Sequence, residues 1–207
     1  AFKADVADSS TTEEVVAAAI DASGAPSLLV ASAGIVIPGL FGDIAPDAFR
    51  RTMEVNFFGT LHLIRAALPA MRRQRGSRIV LISSGAALLG LYGYTAYAPS
   101  KFAVRGLAES LRSELKPDGI AVSVVYPPDT DTPQLHGEAP LRPAALTKIA
   151  ARARVLSADD VASAIMRGIA YNRFAIAPGW EMSTLLRLHS LVGPLLNRLA
   201  LDRLAAD

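Results

Sequence analysis

The sequence predicts an α/β domain built on a parallel sheet with helices on both faces. Three observations carry this. Short apolar runs rich in β-branched residues recur at 28–31, 79–82, 121–126 and 174–177. Apart from Ser123 they are apolar throughout, as strands buried on both faces are. Segments with helical periodicity lie between them, and strand–helix alternation argues for parallel pairing. A chain of 207 residues, 51% hydrophobic and 19% charged, suits one domain, 1–207, with a sizeable core.

The elements follow in order. Ala1–Val6 reads as the end of a strand. Ser10-Thr11-Thr12-Glu13 has the form of a capping box, and Val15, Val16, Ala19 and Ile20 form a helical stripe that Gly24 ends. Leu28–Ala31 is a strand, followed by the small residues Ser32-Ala33-Gly34, where a backbone can approach a ligand closely. Pro46 opens a long helix with Phe49, Met53, Phe57, Leu61, Ile64 and Leu68 in phase. Asn56 is polar within that apolar pattern. It reads equally as a packed amide or as a site residue reached through a kink.

After the 79–82 strand, a helix is expected over about 96–116, then a Pro117-Asp118-Gly119 turn and a buried strand at 121–126. Pro127-Pro128 must leave the sheet, since proline cannot donate to a ladder. Residues 134–144 have no strong periodicity and read as a mobile segment. Ser157 caps a helix carrying Val161, Ile165, Met166 and Ile169. From 180 to 204 leucine dominates, with Gly193-Pro194 as an interruption. Three readings of this tail stay open: packing against the domain or a partner subunit, lining a pocket for a long apolar substrate, and lying on a membrane surface.

Composition removes several function classes. With no cysteine there is no disulfide, thiolate nucleophile or Cys-ligated zinc. His62, His136 and His189 are isolated, so no metal site is expected. Net charge is +2, which gives no broad basic field for nucleic acid. The arginines at 65, 72, 73, 75 and 78 read as the solvated end of a helix. No signal peptide is seen, and no apolar run approaches the ~18–20 residues of a spanning helix.

The chemistry centres on 78–108. Tyr97 and Lys101 stand four apart at the head of a helix, so a phenol and an ammonium share one face. Ser84 ends the preceding strand, thirteen residues before Tyr97. In open parallel sheets that end is where ligands bind. Tyr-x-x-x-Lys alone is a weak signal. The constellation is stronger: Ser84, Tyr97 and Lys101, with Asn56 in Val-Asn-Phe-Phe-Gly, Asp5-Val6 after an early apolar stretch, and a Pro-Pro loop after the 121–126 strand.

With that constellation the chain resembles the short-chain dehydrogenase/reductase family over nearly its whole length. Leu91-Tyr92-Gly93-Tyr94-Thr95-Ala96-Tyr97 and Tyr126–Pro133 are most similar to its 3-ketodihydrosphingosine (3-dehydrosphinganine) reductase branch. The resemblance implies a Rossmann-type doubly wound sheet and NADPH-dependent reduction of a ketone on a hydrophobic, long-chain substrate, with NAD(H) as the other cofactor. It implies that Tyr97 is the general acid, that Ser84 donates to the carbonyl oxygen, and that Lys101 holds the ribose and favours the phenolate. Asn56 would hold a water linking Lys101 to solvent. Asp5 and Val6 would meet the adenine, and Ser32, Ala33, Gly34 and Val55 the adenosine. Pro127, Pro128, Thr130 and Thr132 would hold the carboxamide and a phosphate. Thr132 also reads as a simple turn residue. A homo-dimer or homo-tetramer in the cytoplasm, with peripheral membrane contact through 180–204, is implied as well.

Two departures stand out. The family's glycine-rich phosphate turn and its first strand are not in this sequence, so a fragment is expected, with the edge of the 28–31 strand open. Ala31-Ser32-Ala33-Gly34 replaces the usual Asn-Asn-Ala-Gly. Two other readings stay open. One is a related reductase acting on a steroid, 3-oxoacyl or polyol substrate. The other is a non-catalytic interaction protein that pairs through the open edge or the tail.

Overall fold

The computed structural model describes residues 1–151 and 153–196. The chain forms α1 (Ser9–Ser23), β1 (Leu28–Ala31), α2 (Pro46–Met53), a π-helical turn (Glu54–Phe58) and α3 (Gly59–Arg72). Then come β2 (Arg78–Ile82), a 3-10 turn (Gly85–Ala87), α4 (Tyr97–Glu114) and β3 (Ala121–Val125). The rest is β4 (Thr130–Asp131), α5 (Pro133–Glu138), a 3-10 turn (Ala139–Leu141), α6 (Ala144–Ala150), β5 (Leu156–Ser157), α7 (Ala158–Ala170), β6 (Ala175–Ile176) and α8 (Trp180–Leu196).

The main sheet is parallel, in the order β1-β2-β3-β6. Register sets Ile79 beside Val122 and Leu81 beside Val124 on one face. There they meet Ile64 and Met71 of α3, Val104 and Ala108 of α4, and Met182 of α8. The opposite face, Val80 and Val125 with Ile176, lies under Ile165 and Ile169 of α7. Helices therefore cover both faces, as expected. Over the edge strand β1 the second face is bare, and Leu28 and Val30 are 37% and 41% exposed.

Several local expectations need correcting. Ala1–Val6 joins no strand. The cap of α1 is Asp8, not Ser10: its carboxylate accepts from the N–H groups of Ser10 at 2.9 Å and Thr11 at 3.2 Å. Those bonds, with the Ser10 and Thr11 hydroxyls, lower its pKa to about 2. The 134–144 stretch is not featureless; it builds α5, a 3-10 turn and the start of α6. Its order comes from packing, because Leu146 seats in a small core with Tyr94, Ala98 and Ala86. Gly193-Pro194 does not break α8, which runs on to Leu196. The tail beyond 196 lies outside the described residues. Among the described residues no helix is long and apolar enough to cross a membrane.

Candidate active site

Ser84 leaves the C-terminal end of β2 in an extended conformation, and its Oγ accepts from the Ala86 N–H at 3.1 Å. Tyr97 is the first residue of α4, so its side chain stands at the same end of the sheet. The Ser84 hydroxyl lies near enough to the Tyr97 phenol to favour its ionised form. One turn further on, Lys101 is only 5% exposed, and its Nζ lies 5.6 Å from the centre of the Tyr97 ring. Nζ also donates to the Ile82 carbonyl at 3.1 Å. The three residues singled out by spacing therefore meet.

Burial sets their charge states. It pushes Tyr97 up to about 12, against the lowering from the nearby Ser84 hydroxyl. Burial also lowers Lys101 to about 8. Burial thus outweighs the lowering of the phenol expected from the nearby ammonium. A phenol this weak keeps its proton at neutral pH, which suits a proton donor more than a base.

Asn56 is a packed amide, as one of its two readings expected. It sits in the π-helical turn, where one wide turn interrupts the regular ladder, a device frequent at functional sites. Its Oδ1 accepts from the Ile35 N–H at 2.7 Å; Nδ2 donates to the Ile35 carbonyl at 2.9 Å and to Ser100 Oγ at 2.9 Å. The amide is 1% exposed and ties the loop after β1 to α4. The Thr60 hydroxyl takes the Asn56 carbonyl at 2.8 Å. Val55, beside it, is buried.

Gly34 lies against this group. A Cβ there would sit 3.2 Å from Asn56 Oδ1 and 3.3 Å from Lys101 Nζ. Ser32 and Ala33 precede it, exposed just beyond β1. The Pro127 carbonyl accepts from Gly85 N–H at 3.0 Å, which holds the Pro-Pro loop against the Ser84 turn. Thr130 Oγ1 donates to the Pro128 carbonyl at 3.0 Å. Thr132 caps α5, accepting from Leu135 N–H at 3.3 Å, as its turn-residue reading anticipated.

Asp5 and Val6 are not brought to this cluster by any contact described. The Asp5 carboxylate pairs with Arg51 of α2 at 3.0 Å, and the Val6 carbonyl lies 3.1 Å from His62 Nδ1 of α3. His136 pairs with Asp131 at 2.7 Å, and His189 Nδ1 lies 2.9 Å from the Leu186 carbonyl. Among the described residues no three His, Cys, Asp or Glu side chains group as a metal site.

The family model described as short chain dehydrogenase matches residues 1–140. The chain belongs to the short-chain dehydrogenase family. It is 40% identical over 176 residues to 3-dehydrosphinganine reductase of Danio rerio, covering 84% of this chain and 53% of that one. It is 40% identical over 167 residues to 3-ketodihydrosphingosine reductase of Bos taurus, covering 81% and 50%. The chain thus spans about half the length of these curated relatives. A short-chain dehydrogenase/reductase from Burkholderia phymatum, solved in complex with NAD, superposes with a TM-score of 0.79 at 28% identity. That superposition covers 92% of this chain and 74% of the solved one.

Sequence reasoning passed over a set of charged residues beside the family's Tyr–Lys pair. Tyr94, three residues before Tyr97, stacks edge-on against it with ring centres 5.2 Å apart. Its hydroxyl donates to Glu138 at 3.0 Å. Arg142 pairs with Asp129 at 2.7 Å and also with Glu138. The i,i+4 spacing of Glu138 and Arg142 was the one available signal, on a stretch without apolar periodicity.

Proposed function

We propose that the protein containing this chain reduces a ketone on a hydrophobic, long-chain substrate like 3-ketodihydrosphingosine, using NADPH. The observation that carries this is Lys101, buried and 5.6 Å from the Tyr97 ring centre, with Ser84 leaving the end of β2 beside them. The 40% identity to the 3-dehydrosphinganine reductase of Danio rerio and the 3-ketodihydrosphingosine reductase of Bos taurus supports the substrate class.

The residues present suit a dinucleotide's nicotinamide half. Gly34 leaves a close approach beside Asn56 and Lys101 that a Cβ would fill. Ser32, Ala33 and Gly34 would lie along the adenosine with Val55, and Pro127, Pro128, Thr130 and Thr132 along the carboxamide and a phosphate. Asp5 and Val6 are assigned to the adenine end. Such a cofactor supplies the hydride when bound. The protein's part is to orient and to move a proton. Ser84 donates a hydrogen bond to the substrate's carbonyl oxygen, where negative charge develops. Tyr97 hands that oxygen its proton and is left as a phenolate. Lys101 steadies that negative charge from one turn away and holds the ribose. Asn56 fixes the floor of the site through Ile35 and Ser100, and a water beside it would return the proton.

The exposed Trp180, Leu188 and Leu191 of α8 support peripheral contact with a membrane at the cytoplasmic side. Assembly as a homo-dimer or homo-tetramer belongs to the same reading.

The test is Tyr97→Phe in the intact protein, assayed by NADPH oxidation with a long-chain 2-amino-3-ketone. Turnover should fall by about 10²–10⁴ while NADPH affinity is unchanged. Turnover at the wild-type rate overturns the assignment.

A further inference from the structure

The segment that follows β3 folds back over the Tyr97 turn. Leu146 of α6 is 1% exposed and packs with Tyr94 and Ala98, with Tyr97 at the margin of the same cluster. Pro143 lies against Gly93, where a Cβ would come within 3.0 Å of its ring. Gly93 has a φ of +77°, so the turn is open to glycine for two separate reasons.

An ion network fastens the segment down. Arg142 has a side chain only 5% exposed. Its NH1 and NH2 donate to the two oxygens of Asp129 at 2.7 and 3.0 Å. Its Nε donates to Glu138 Oε1 at 3.1 Å, and NH2 reaches the same oxygen. The Tyr94 hydroxyl completes the set on Glu138, and the guanidinium lies 5.8 Å from the Tyr94 ring centre. The network thus joins three pieces: the Pro-Pro loop through Asp129, the α5–α6 segment through Glu138 and Arg142, and the turn before α4 through Tyr94.

We propose that Arg142 is a positioning residue: it clamps the 133–150 segment over the Tyr97 turn and neutralises Asp129 and Glu138, the two carboxylates that the clamp brings near the phenol. This rests on the reading of Tyr97 as proton donor. Pairing is what makes the arrangement tolerable. Two carboxylates drawn out of water without their guanidinium would be a costly pair. The packing of Leu146 and Pro143 holds the segment in place only while the ions beneath them are satisfied.

The charge geometry gives a signature that packing alone does not. Tyr97 faces Lys101 from its own helix, Ser84 from the end of β2, Tyr94 from the preceding turn, Asp129 from the Pro-Pro loop, and Glu138 and Arg142 from the clamped segment. Glu138 and Asp129 raise the phenol's pKa, and Arg142 lowers it. Removing the cation and removing one anion must therefore act in opposite directions.

The experiment compares Arg142→Met and Glu138→Gln in the intact protein loaded with NADP⁺. The midpoint of the pH–rate profile for alcohol oxidation should move up by about one unit in Arg142→Met and down in Glu138→Gln. Amide exchange across 133–150, which needs no turnover, should rise at least about tenfold in Arg142→Met. Unchanged exchange overturns the clamp. So do midpoints that move in the same direction or not at all. If Arg142→Met fails to fold, the near-isosteric Glu138→Gln decides through its midpoint. An intact protein with no ketone turnover, but with the rise in exchange, refutes the proposed activity and leaves the clamp standing.

Discussion

Replacing Lys101 with methionine should make the protein more stable at neutral pH. Lys101 is 5% exposed, and burial lowers its pKa from 10.5 to about 8. A lysine whose folded pKa lies below its unfolded value binds its proton more tightly when the chain unfolds. The ammonium therefore favours the unfolded state: the penalty is full below pH 8, shrinks as pH rises and is gone above 10.5. The shift corresponds to about 3 kcal/mol at pH 7. Methionine keeps the apolar stem and removes the charge. It also gives up the hydrogen bond to the Ile82 carbonyl, worth about 1 kcal/mol. Lys101→Met should gain about 2 kcal/mol at pH 7, and little or nothing at pH 9.5. Urea unfolding of both proteins at the two pH values measures this, without dinucleotide, whose binding would add its own stabilisation. A Lys101→Met protein less stable than wild type at pH 7 refutes the reasoning. A gap that does not narrow by pH 9.5 refutes it as well. On the proposed activity, the gain comes with loss of ketone turnover, an exchange of stability for function.

Two further substitutions probe the frame around the site. Asn56→Ala removes three hydrogen bonds and leaves the Ile35 N–H and carbonyl unpaired; it should cost about 2–4 kcal/mol in urea unfolding, and equal stability would show these bonds to be idle. Gly168→Ala places a Cβ 2.5 Å from Ile176 Cδ1, so overpacking should cost about 1–3 kcal/mol, read as a fall in the thermal midpoint; an unchanged midpoint would mean that α7 and β6 separate freely.

What could be read from the sequence follows from how far each pattern reaches. The β2 and β3 strands were legible because Ile79–Ile82 and Ala121–Val125, the latter broken only at Ser123, are short apolar runs of the kind that strands buried on both faces need. The Tyr97–Lys101 face was legible because it needs only the pitch of one helix. The α1 cap was misread because Asp8 and Ser10 both have capping chemistry, and only the backbone at Asp8 turns its carboxylate toward the free N–H groups. The 134–150 stretch was illegible for a different reason. Its helices are short, and they are held by Leu146 against Tyr94 and by the hydrogen bond that Glu138 accepts from Tyr94, 44 residues away.

By itself, the sequence determined the alternation of strands and helices, the position of Ser84 at a strand end, and the one-turn spacing of Tyr97 and Lys101. All three are local, and each depends on repeat lengths of 2 or 3.6 residues. The tertiary structure alone decided that Asn56 spends its amide on Ile35 and Ser100. It alone decided that burial moves the phenol up and the ammonium down, and that Glu138 receives a hydrogen bond from Tyr94 across 44 residues. A side chain's charge and its choice of partner depend on which groups share its desolvated space, and only the packed fold brings those groups together.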